Sequence, residues 1–243
     1  MMTPTDQPRR RDEIAASLRL AREEIAAACA AAGRVPSDVT LVAVTKNFPA
    51  EDAAHLAALG VSDLGENRDQ EASEKARELA DLGVPVRWHF VGRLQRNKAR
   101  SVAEYAHLVQ SVDRAALVSA LDDACRRRDR RLDVLVQISL DGDPSRGGVV
   151  PAERDALVES VLAAENLSLR GVMAVAPVEW QPIKAFESLA DHADQVRRLA
   201  PQATEMSAGM TGDFAEAISC GATMIRLGSK LLGARRNVGY PVR

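Results

Sequence analysis

A lysine ends the first segment of this sequence that predicts a buried strand. Residues 40–46, TLVAVTK, are almost continuously apolar and rich in β-branched residues, as in a strand buried on both faces. Lys46 either reaches solvent where the strand stops, or is desolvated at the mouth of a barrel and forms a Schiff base with a carbonyl compound. From this segment alone we favour the solvated lysine, because most charged side chains at strand ends are exposed.

Two glycine-bearing turns near the end of the chain have the residue types of a phosphate site. Residues 207–213 read SAGMTGD and residues 226–229 read RLGS, and each turn leads into a predicted helical segment. Such turns expose backbone N–H groups to an anion, and Ser207, Thr211 and Ser229 add hydroxyl groups. The same residue types are common in turns and helix caps, so the two turns alone leave both interpretations open.

The elements that must position these residues alternate between strand and helix. Helical periodicity from Ile14 to Ala32, closed by Gly33, predicts a helix ahead of the first strand. Regular alternation follows without a long linker, which predicts parallel strands joined by crossover helices in one domain. The predicted strands are residues 40–46, 61–67, 86–92, 108–113, 132–139, 169–176, 204–210 and 223–228.

Eight such units in 243 residues are the usual size of a single (β/α)8 TIM barrel, which is the fold we predict. An open doubly wound sheet is the alternative, but it normally carries G-x-G-x-x-G after the first strand, where this chain has KNFP. Barrel sites lie at the carboxyl ends of the strands, with the standard phosphate site after strands seven and eight. Lys46 and both turns would then share one mouth with Asn67, His89 and Met173, which lie near other strand ends.

A lysine and a phosphate site at one mouth predict a phosphorylated carbonyl ligand. Pyridoxal 5'-phosphate (PLP) is the leading candidate, because its aldehyde condenses with a lysine amine. A class I aldolase combines the same two features, so the residues alone do not choose between a cofactor and a substrate.

Composition argues against several other classes of protein. The formal net charge of -2 and an aromatic content of 3% disfavour a nucleic-acid site, and no apolar run has the length of a membrane span. The three cysteines form no C-x-x-C pair, so we expect reduced thiols, no zinc site and a cytoplasmic protein. We expect a disordered tail at residues 1–11, a barrel at 12–236 and a C-terminal tail at 237–243.

A series of motifs, in order from about residue 40 to 235, resembles the pyridoxal phosphate homeostasis proteins, which are single-domain relatives of the alanine racemase N-terminal barrel. The matching segments are VAVTK at 42–46, GEN at 65–67, QE at 70–71, WHFVG at 88–92, LQ at 94–95, NK at 97–98, RGVMA at 170–174, SAGMTGD at 207–213, IRLG at 225–228 and GAR at 233–235. Thr45, Arg68 and Thr211 replace a serine, an aromatic residue and a serine that the family commonly has, and residues 141–148 match it poorly.

The resemblance implies PLP as the cofactor, held covalently by Lys46. It also implies that Ser207, Gly228 and Ser229 bind the phosphate, that Asn67 lies beside the ring and that Arg226 faces the pyridine nitrogen. If Lys46 is not the anchor, Lys98 and Lys230 are the nearby candidates. No catalytic residue is assigned. The expected cofactor-binding residues are Lys46, Asn67, Met173, Ser207, Met210, Thr211, Arg226, Gly228 and Ser229.

The resemblance also implies a function. A protonated arginine can only donate a hydrogen bond, so the pyridine nitrogen stays unprotonated and the ring is a weak electron sink. Racemisation needs bases on both faces of the substrate, and in alanine racemase one base is a tyrosine from a second domain; here Tyr105 and Tyr240 fall in a predicted helix and the tail. We therefore expect a monomeric PLP homeostasis protein that delivers PLP transiently to apo-enzymes, with a racemase-like enzyme as the alternative.

Overall fold

Eight short parallel strands close into a barrel in which each strand pairs with its neighbours in sequence and the last strand returns to the first. This computed structural model describes residues 6–143 and 146–234 of the chain. The closed barrel confirms the predicted (β/α)8 fold over the open sheet. The strands are β1 Thr40–Val44, β2 Asp63–Glu66, β3 Arg87–Phe90, β4 Ala106–Val112, β5 Leu132–Gln137, β6 Leu167–Met173, β7 Glu205–Ser207 and β8 Met224–Leu227.

Helices surround the barrel, and one of them precedes the first strand, as predicted. The helices are α1 Asp6–Ala31, α2 Ala50–Ala58, α3 Asp69–Asp81, α4 Ala99–Tyr105, α5 Ala115–Arg126, α6 Arg154–Leu162, α7 Pro182–Leu199, α8 Phe214–Ser219 and α9 Ser229–Leu232. Because α9 has only four residues, α1 covers the outside of β8 and β1, packing Ile14 and Leu18 into one apolar cluster with Ala43 and Ile225.

The disordered tail expected at residues 1–11 does not extend over Asp6 and the residues after it, because α1 begins at Asp6; residues 1–5 lie outside the described residues. Arg10 is 7% exposed and binds Asp52 of α2 through two hydrogen bonds of 3.0 and 2.6 Å. Its guanidinium also donates to the carbonyl oxygen of Leu232 at 3.0 Å. This buried ion pair orders residues whose composition alone resembles a disordered tail. The C-terminal tail expected at 237–243 lies outside the described residues.

The strands alternate between the barrel interior and the surrounding helices, as the period of two requires. Val42, Leu108, Leu135, Met173 and Met224 form an apolar cluster that belongs to the interior. The alternate residues of the same strands pack outward against the helices, as Ala43 and Ile225 do. Since Val42 points inward, the same alternation directs Val44 inward, and Lys46 follows β1 at the carboxyl end of the barrel.

The strand ends differ from the predicted boundaries where the backbone must turn. β1 ends at Val44 rather than Lys46, and β7 ends at Ser207 rather than Met210. Gly209 has φ +87°, and a Cβ atom on it would lie 2.7 Å from the Cβ atom of Ala217. The chain can therefore pass close to α8 after β7 only with a glycine at this position.

Candidate functional site

Lys46 lies in a tight turn directly after β1. Its side chain is half-buried, and the next residue, Asn47, has a left-handed backbone with φ +64°. The backbone N–H of Asn47 donates to Glu71 Oε1 at 2.5 Å, and the N–H of Thr45 donates to the carbonyl oxygen of Gly65 at 3.0 Å. Both residues that flank Lys46 are thus fixed by contacts with β2 and α3.

A buried cluster of charged side chains supports this turn from outside the barrel. Lys75 Nζ donates to the Thr45 carbonyl oxygen at 2.8 Å and to Glu66 Oε1 and Glu71 Oε1 at 2.7 Å each. Thr45 Oγ1 donates to Glu66 Oε1 at 2.6 Å. Burial raises the pKa of Glu66 despite the nearby Lys75 charge. Glu66 Oε2 has no hydrogen-bond partner among the described residues, so this cluster carries a cost in desolvation.

Sequence reasoning missed this cluster, because a lysine on a charged helix is normally exposed. Lys75 is 1% exposed and Glu71 is 3% exposed. The sequence feature that could have indicated this cluster is a spacing. Glu71 and Lys75 are four residues apart on α3 and therefore share one face of the helix.

The contacts of Lys98 and Lys230 place both alternative anchors against helices outside the barrel. Each of the two lysines forms an ion pair with a carboxylate on such a helix. Lys98 pairs with Asp69 on α3 at 3.6 Å. Lys230 pairs with Glu24 on α1 at 2.6 Å, on the outer side of the barrel.

Arg226 on β8 is a buried cation at the same end of the barrel. Its side chain is 5% exposed, Nη1 donates to Ser207 Oγ at 2.6 Å and Nη2 donates to the Ala174 carbonyl oxygen at 2.9 Å. No carboxylate in residues 6–143 or 146–234 hydrogen-bonds to it. Burial lowers the pKa of Arg226 to about 10, opposed by the charge of Asp213, so the group remains protonated at neutral pH. Three of its five N–H groups are left for a ligand.

Ser207 bonds to neighbouring side chains in the barrel interior, and its role toward a phosphate stays a prediction. The residue is fully buried, accepts the bond from Arg226 and donates its hydroxyl hydrogen to Gln110 Oε1 at 2.7 Å. A hydroxyl group has one hydrogen, and in this arrangement a neighbouring side chain takes it. The inward direction of β7 explains these contacts, because it points Ser207 into the barrel rather than toward the loop.

The two glycine-bearing loops do lie side by side next to the end of β1. The N–H of Arg226 donates to the carbonyl oxygen of Gly209 at 3.0 Å, which joins the loop after β7 to β8. A Cβ atom on Gly228 would lie 3.3 Å from the Val44 carbonyl oxygen, so the loop after β8 adjoins the strand that leads to Lys46. The exposed residues of these loops are Met210, Thr211, Gly212 and Ser229.

The remaining predicted residues occupy different depths of the barrel. Asn67 is half-buried at the mouth after β2, where Gly92 packs so closely that a Cβ atom would lie 2.3 Å from the Asn67 carbonyl oxygen. Met173 is 1% exposed and belongs to the apolar interior, below the mouth. His89 is also interior and hydrogen-bonds to Asp63 and Gln110 rather than to the following loop.

The donor set at this mouth fits the cofactor that the sequence implied. PLP needs an amine for its aldehyde, donors for a phosphate and a polar group for the ring nitrogen. Lys46, the loops that contain Thr211 and Ser229, and the unused donors of Arg226 are of these three kinds. Among the described residues, no group of three His, Cys, Asp or Glu side chains could hold a metal ion, and no helix is long and apolar enough to cross a membrane.

Comparisons with known proteins agree with the fold and with the family that the motifs resemble. The family model "Alanine racemase, N-terminal domain" matches residues 22–236. The pyridoxal phosphate homeostasis proteins of Mycobacterium tuberculosis and Escherichia coli are 45% and 36% identical to this chain, covering 94% and 92% of it and 95% and 97% of their own lengths. The structure of PipY from Synechococcus elongatus with PLP bound superposes with a TM-score of 0.80 at 34% identity, covering 90% of this chain and all of PipY.

Proposed function

This chain belongs to the pyridoxal phosphate homeostasis proteins, a family built on the alanine racemase N-terminal barrel, and on that premise we propose that it holds PLP on Lys46 and delivers it to apo-enzymes. The observation that carries the proposal is the buried guanidinium of Arg226, which shares a barrel mouth with Lys46. A buried cation with unused donors is costly unless an acceptor reaches it, and a pyridine nitrogen is such an acceptor.

The roles of the individual side chains follow from their positions. When bound, PLP supplies an aldehyde that a lysine amine captures reversibly as a Schiff base. Thr211 and Ser229 place hydroxyl groups in the exposed loops, where Gly228 leaves room for a phosphate to approach the backbone. Asn67 limits the mouth on the β2 side. Ser207 acts one step further away, because it orients Arg226.

The same side chains favour a carrier over an enzyme. Arg226 can only donate, so it leaves the ring nitrogen unprotonated and the ring a weak sink for electrons. Tyr105, the tyrosine within the described residues, lies on α4, and its hydroxyl group donates to Asp69 at 3.5 Å. Burial and the charges of Asp69 and Glu66 raise the pKa of Tyr105 above its ordinary value, so its hydroxyl group stays protonated near neutral pH and does not serve as a base. A site whose described tyrosine offers no base to a substrate suits storage and transfer.

Reconstitution with PLP tests the anchor. The protein should gain a visible absorbance band, and borohydride should fix one adduct that maps to the peptide containing Lys46. Lys46→Ala should lose both signals, whereas Lys98→Ala and Lys230→Ala should keep them. An adduct that persists in Lys46→Ala would place the covalent link on another lysine.

Transfer and turnover separate the carrier from the enzyme. The PLP-loaded protein is first separated from free PLP by size. It should then restore activity to an apo-enzyme that requires PLP. The same loaded protein should racemise no common amino acid at a rate typical of enzymes. Racemisation at such a rate would contradict the carrier and establish the racemase-like alternative.

A further inference from the structure

A chain of hydrogen bonds crosses the inside of the barrel from Arg226 to Asp63. Nη1 of Arg226 lies 2.6 Å from Ser207 Oγ, which lies 2.7 Å from Gln110 Oε1. Gln110 Nε2 lies 2.9 Å from His89 Nδ1, and His89 Nε2 lies 2.9 Å from Asp63 Oδ1. The five residues come from β8, β7, β4, β3 and β2, and each is at most 5% exposed.

The groups at the two ends of this series of hydrogen bonds fix the direction of every bond in the series. Arg226 can only donate, so Ser207 accepts from it and passes its own hydrogen to Gln110 Oε1. Gln110 Nε2 then donates to His89 Nδ1, which leaves the proton of the neutral ring on Nε2. That proton faces the carboxylate of Asp63, which can only accept.

No other arrangement satisfies all five groups while His89 is neutral. If the Gln110 amide were flipped, its oxygen would face His89 Nδ1, and that nitrogen would have to donate. His89 Nε2 still faces the Asp63 carboxylate and must also donate, so the flipped arrangement requires a doubly protonated ring. The tautomer of His89 therefore shows in which direction all the hydrogen bonds of the series are donated.

The far end of the chain is anchored at the opposite mouth of the barrel. Asp63 Oδ1 also accepts from Arg87 Nη2 at 2.7 Å, and Asp63 Oδ2 accepts from Ser62 Oγ at 2.8 Å. The side chain of Arg87 is 59% exposed there, beside a cavity of about 350 Å³ that reaches His89 and His107. Asp63 is thus held as a carboxylate by groups that solvent can reach, while Arg226 lies at the cofactor mouth.

We propose that Ser207, Gln110, His89 and Asp63 are positioning residues that fix the guanidinium of Arg226 as a donor to the ring nitrogen of the cofactor. The inference rests on the proposed function, because the ring nitrogen belongs to PLP. Ser207 and the Ala174 carbonyl oxygen hold one N–H group on each terminal nitrogen of Arg226, so the remaining donors keep one orientation. The chain would make the pocket selective for a ring that presents a nitrogen acceptor at this point.

A ligand that lacks only the ring nitrogen tests this proposal. The 1-deaza analogue of PLP keeps the aldehyde and the phosphate but places a C–H group where the nitrogen was. The native protein should bind PLP roughly tenfold more tightly than the analogue, as expected for a hydrogen bond from a charged donor. Gln110→Met interrupts the series of hydrogen bonds with a side chain of similar size, and it should reduce the ratio of PLP affinity to analogue affinity by about fivefold or more. Asp63→Asn should reduce this ratio by about threefold. Both variants should keep the native affinity for the analogue.

Ser111→Ala is the matched control for these variants. Ser111 adjoins Gln110 on β4, and its buried hydroxyl group has no hydrogen-bond partner among the residues that the structure describes. This variant should keep the ratio of the two affinities. If Gln110→Met and Asp63→Asn also keep the affinity ratio of the native protein, the inference is overturned, although the protein still binds PLP. Failure of the native protein to bind either ligand would instead overturn the proposed function. The role of the hydrogen-bond series in cofactor binding would be overturned with it.

A nitrogen NMR spectrum of the histidine-labelled native protein tests the chain even if the variants do not fold. The signals of His89 are those that disappear in His89→Gln. If that variant does not fold, the signals are assigned by through-bond coupling between the labelled ring nitrogens and the rest of the His89 residue. At neutral pH the ring should carry its proton on Nε2 and none on Nδ1. A proton on Nδ1, alone or in a doubly protonated ring, would contradict the direction deduced here.

Discussion

Lys75 Nζ donates to the carbonyl oxygen of Thr45 at 2.8 Å, so a buried helix lysine holds the backbone immediately before Lys46. The same ammonium group bridges Glu66 and Glu71, and Glu71 in turn accepts from the N–H group of Asn47 immediately after Lys46. One buried cation therefore links the residues on both sides of the proposed anchor. The position of Lys46 at the mouth depends on this cluster as well as on β1.

Removing the charge of Lys75 should destabilise the protein. Lys75→Met leaves Glu66 and Glu71 buried without their cation, which costs about 3–5 kcal/mol in the free energy of unfolding. Chemical denaturation measures the change. Lys184→Met is the control, because Lys184 pairs with Glu187 on the surface and its loss should cost less than about 1 kcal/mol. Equal stabilities of the two variants would contradict the structural role of the cluster.

The contribution of Asp63 to stability should disappear in acid. Burial acts to raise the pKa of Asp63, but hydrogen bonds from His89 and Ser62 and the charge of Arg87 outweigh it and hold the pKa below its ordinary value of 3.8. The ionised carboxylate therefore stabilises the folded state above pH 3.8, and this contribution is lost as the pH falls through the lower, folded-state pKa.

Asp63→Asn isolates this effect. The variant should be less stable than the native protein near neutral pH, and the difference in the free energy of unfolding should shrink below pH 3.8. Asp133→Asn is the control, because the carboxylate of Asp133 lies 3.7 Å from Arg170 and both side chains are nearly half exposed. A difference for Asp63→Asn that does not change with pH would rule out an ionised partner for His89.

The fold was predictable because its signals are local. A buried strand such as Thr40–Val44 reads as a short, almost continuous apolar run, and the helices show apolar residues at helical spacing, so eight alternating strand–helix units could be counted from the sequence. The position of Lys46 after β1 followed from the same pattern. The barrel then placed Arg226 and the glycine-bearing loops at the same mouth.

The contacts inside the barrel could not be predicted, because they join residues that are distant in sequence. Gln110 and Ser207 meet across 97 positions, and nothing in either strand specifies the other. A glutamine within the predicted strand at residues 108–113 was a visible sign. The bond from Arg226 to Ser207 was hidden for the same reason, because a hydroxyl group near a loop can serve a phosphate or a buried arginine.

Gly209→Ala should distort the loop after β7. The added methyl group would lie 2.7 Å from Ala217 Cβ on a backbone with φ +87°, which together costs about 2–4 kcal/mol of stability. PLP affinity should fall with it, because the loop after β7 must move away from α8. Gly212→Ala is the control in the same loop, since nothing lies within 4 Å of its added methyl group. Thermal unfolding and PLP titration of both variants test the prediction.

The cysteines should be slow to react in the native protein. Burial raises the pKa of the Cys29, Cys125 and Cys220 thiols, which lowers the fraction of reactive thiolate. Cys29 and Cys125 are fully buried and Cys220 is partly exposed. A thiol-specific reagent followed by mass spectrometry should label Cys220 first and the other two only after unfolding. Rapid labelling of Cys29 in native protein would show that α1 opens readily.

The position of α1 has a consequence for synthesis on the ribosome. Its apolar face packs against α8 and α9, and Arg10 bonds to Leu232, which is 222 positions further along the chain. The helix α1 can reach α8 and α9 only after these C-terminal segments have been synthesised, and the closure of β1 against β8 waits for the same segment. Until then the part of α1 that α8 and α9 cover is exposed, which makes barrel closure a late step in folding.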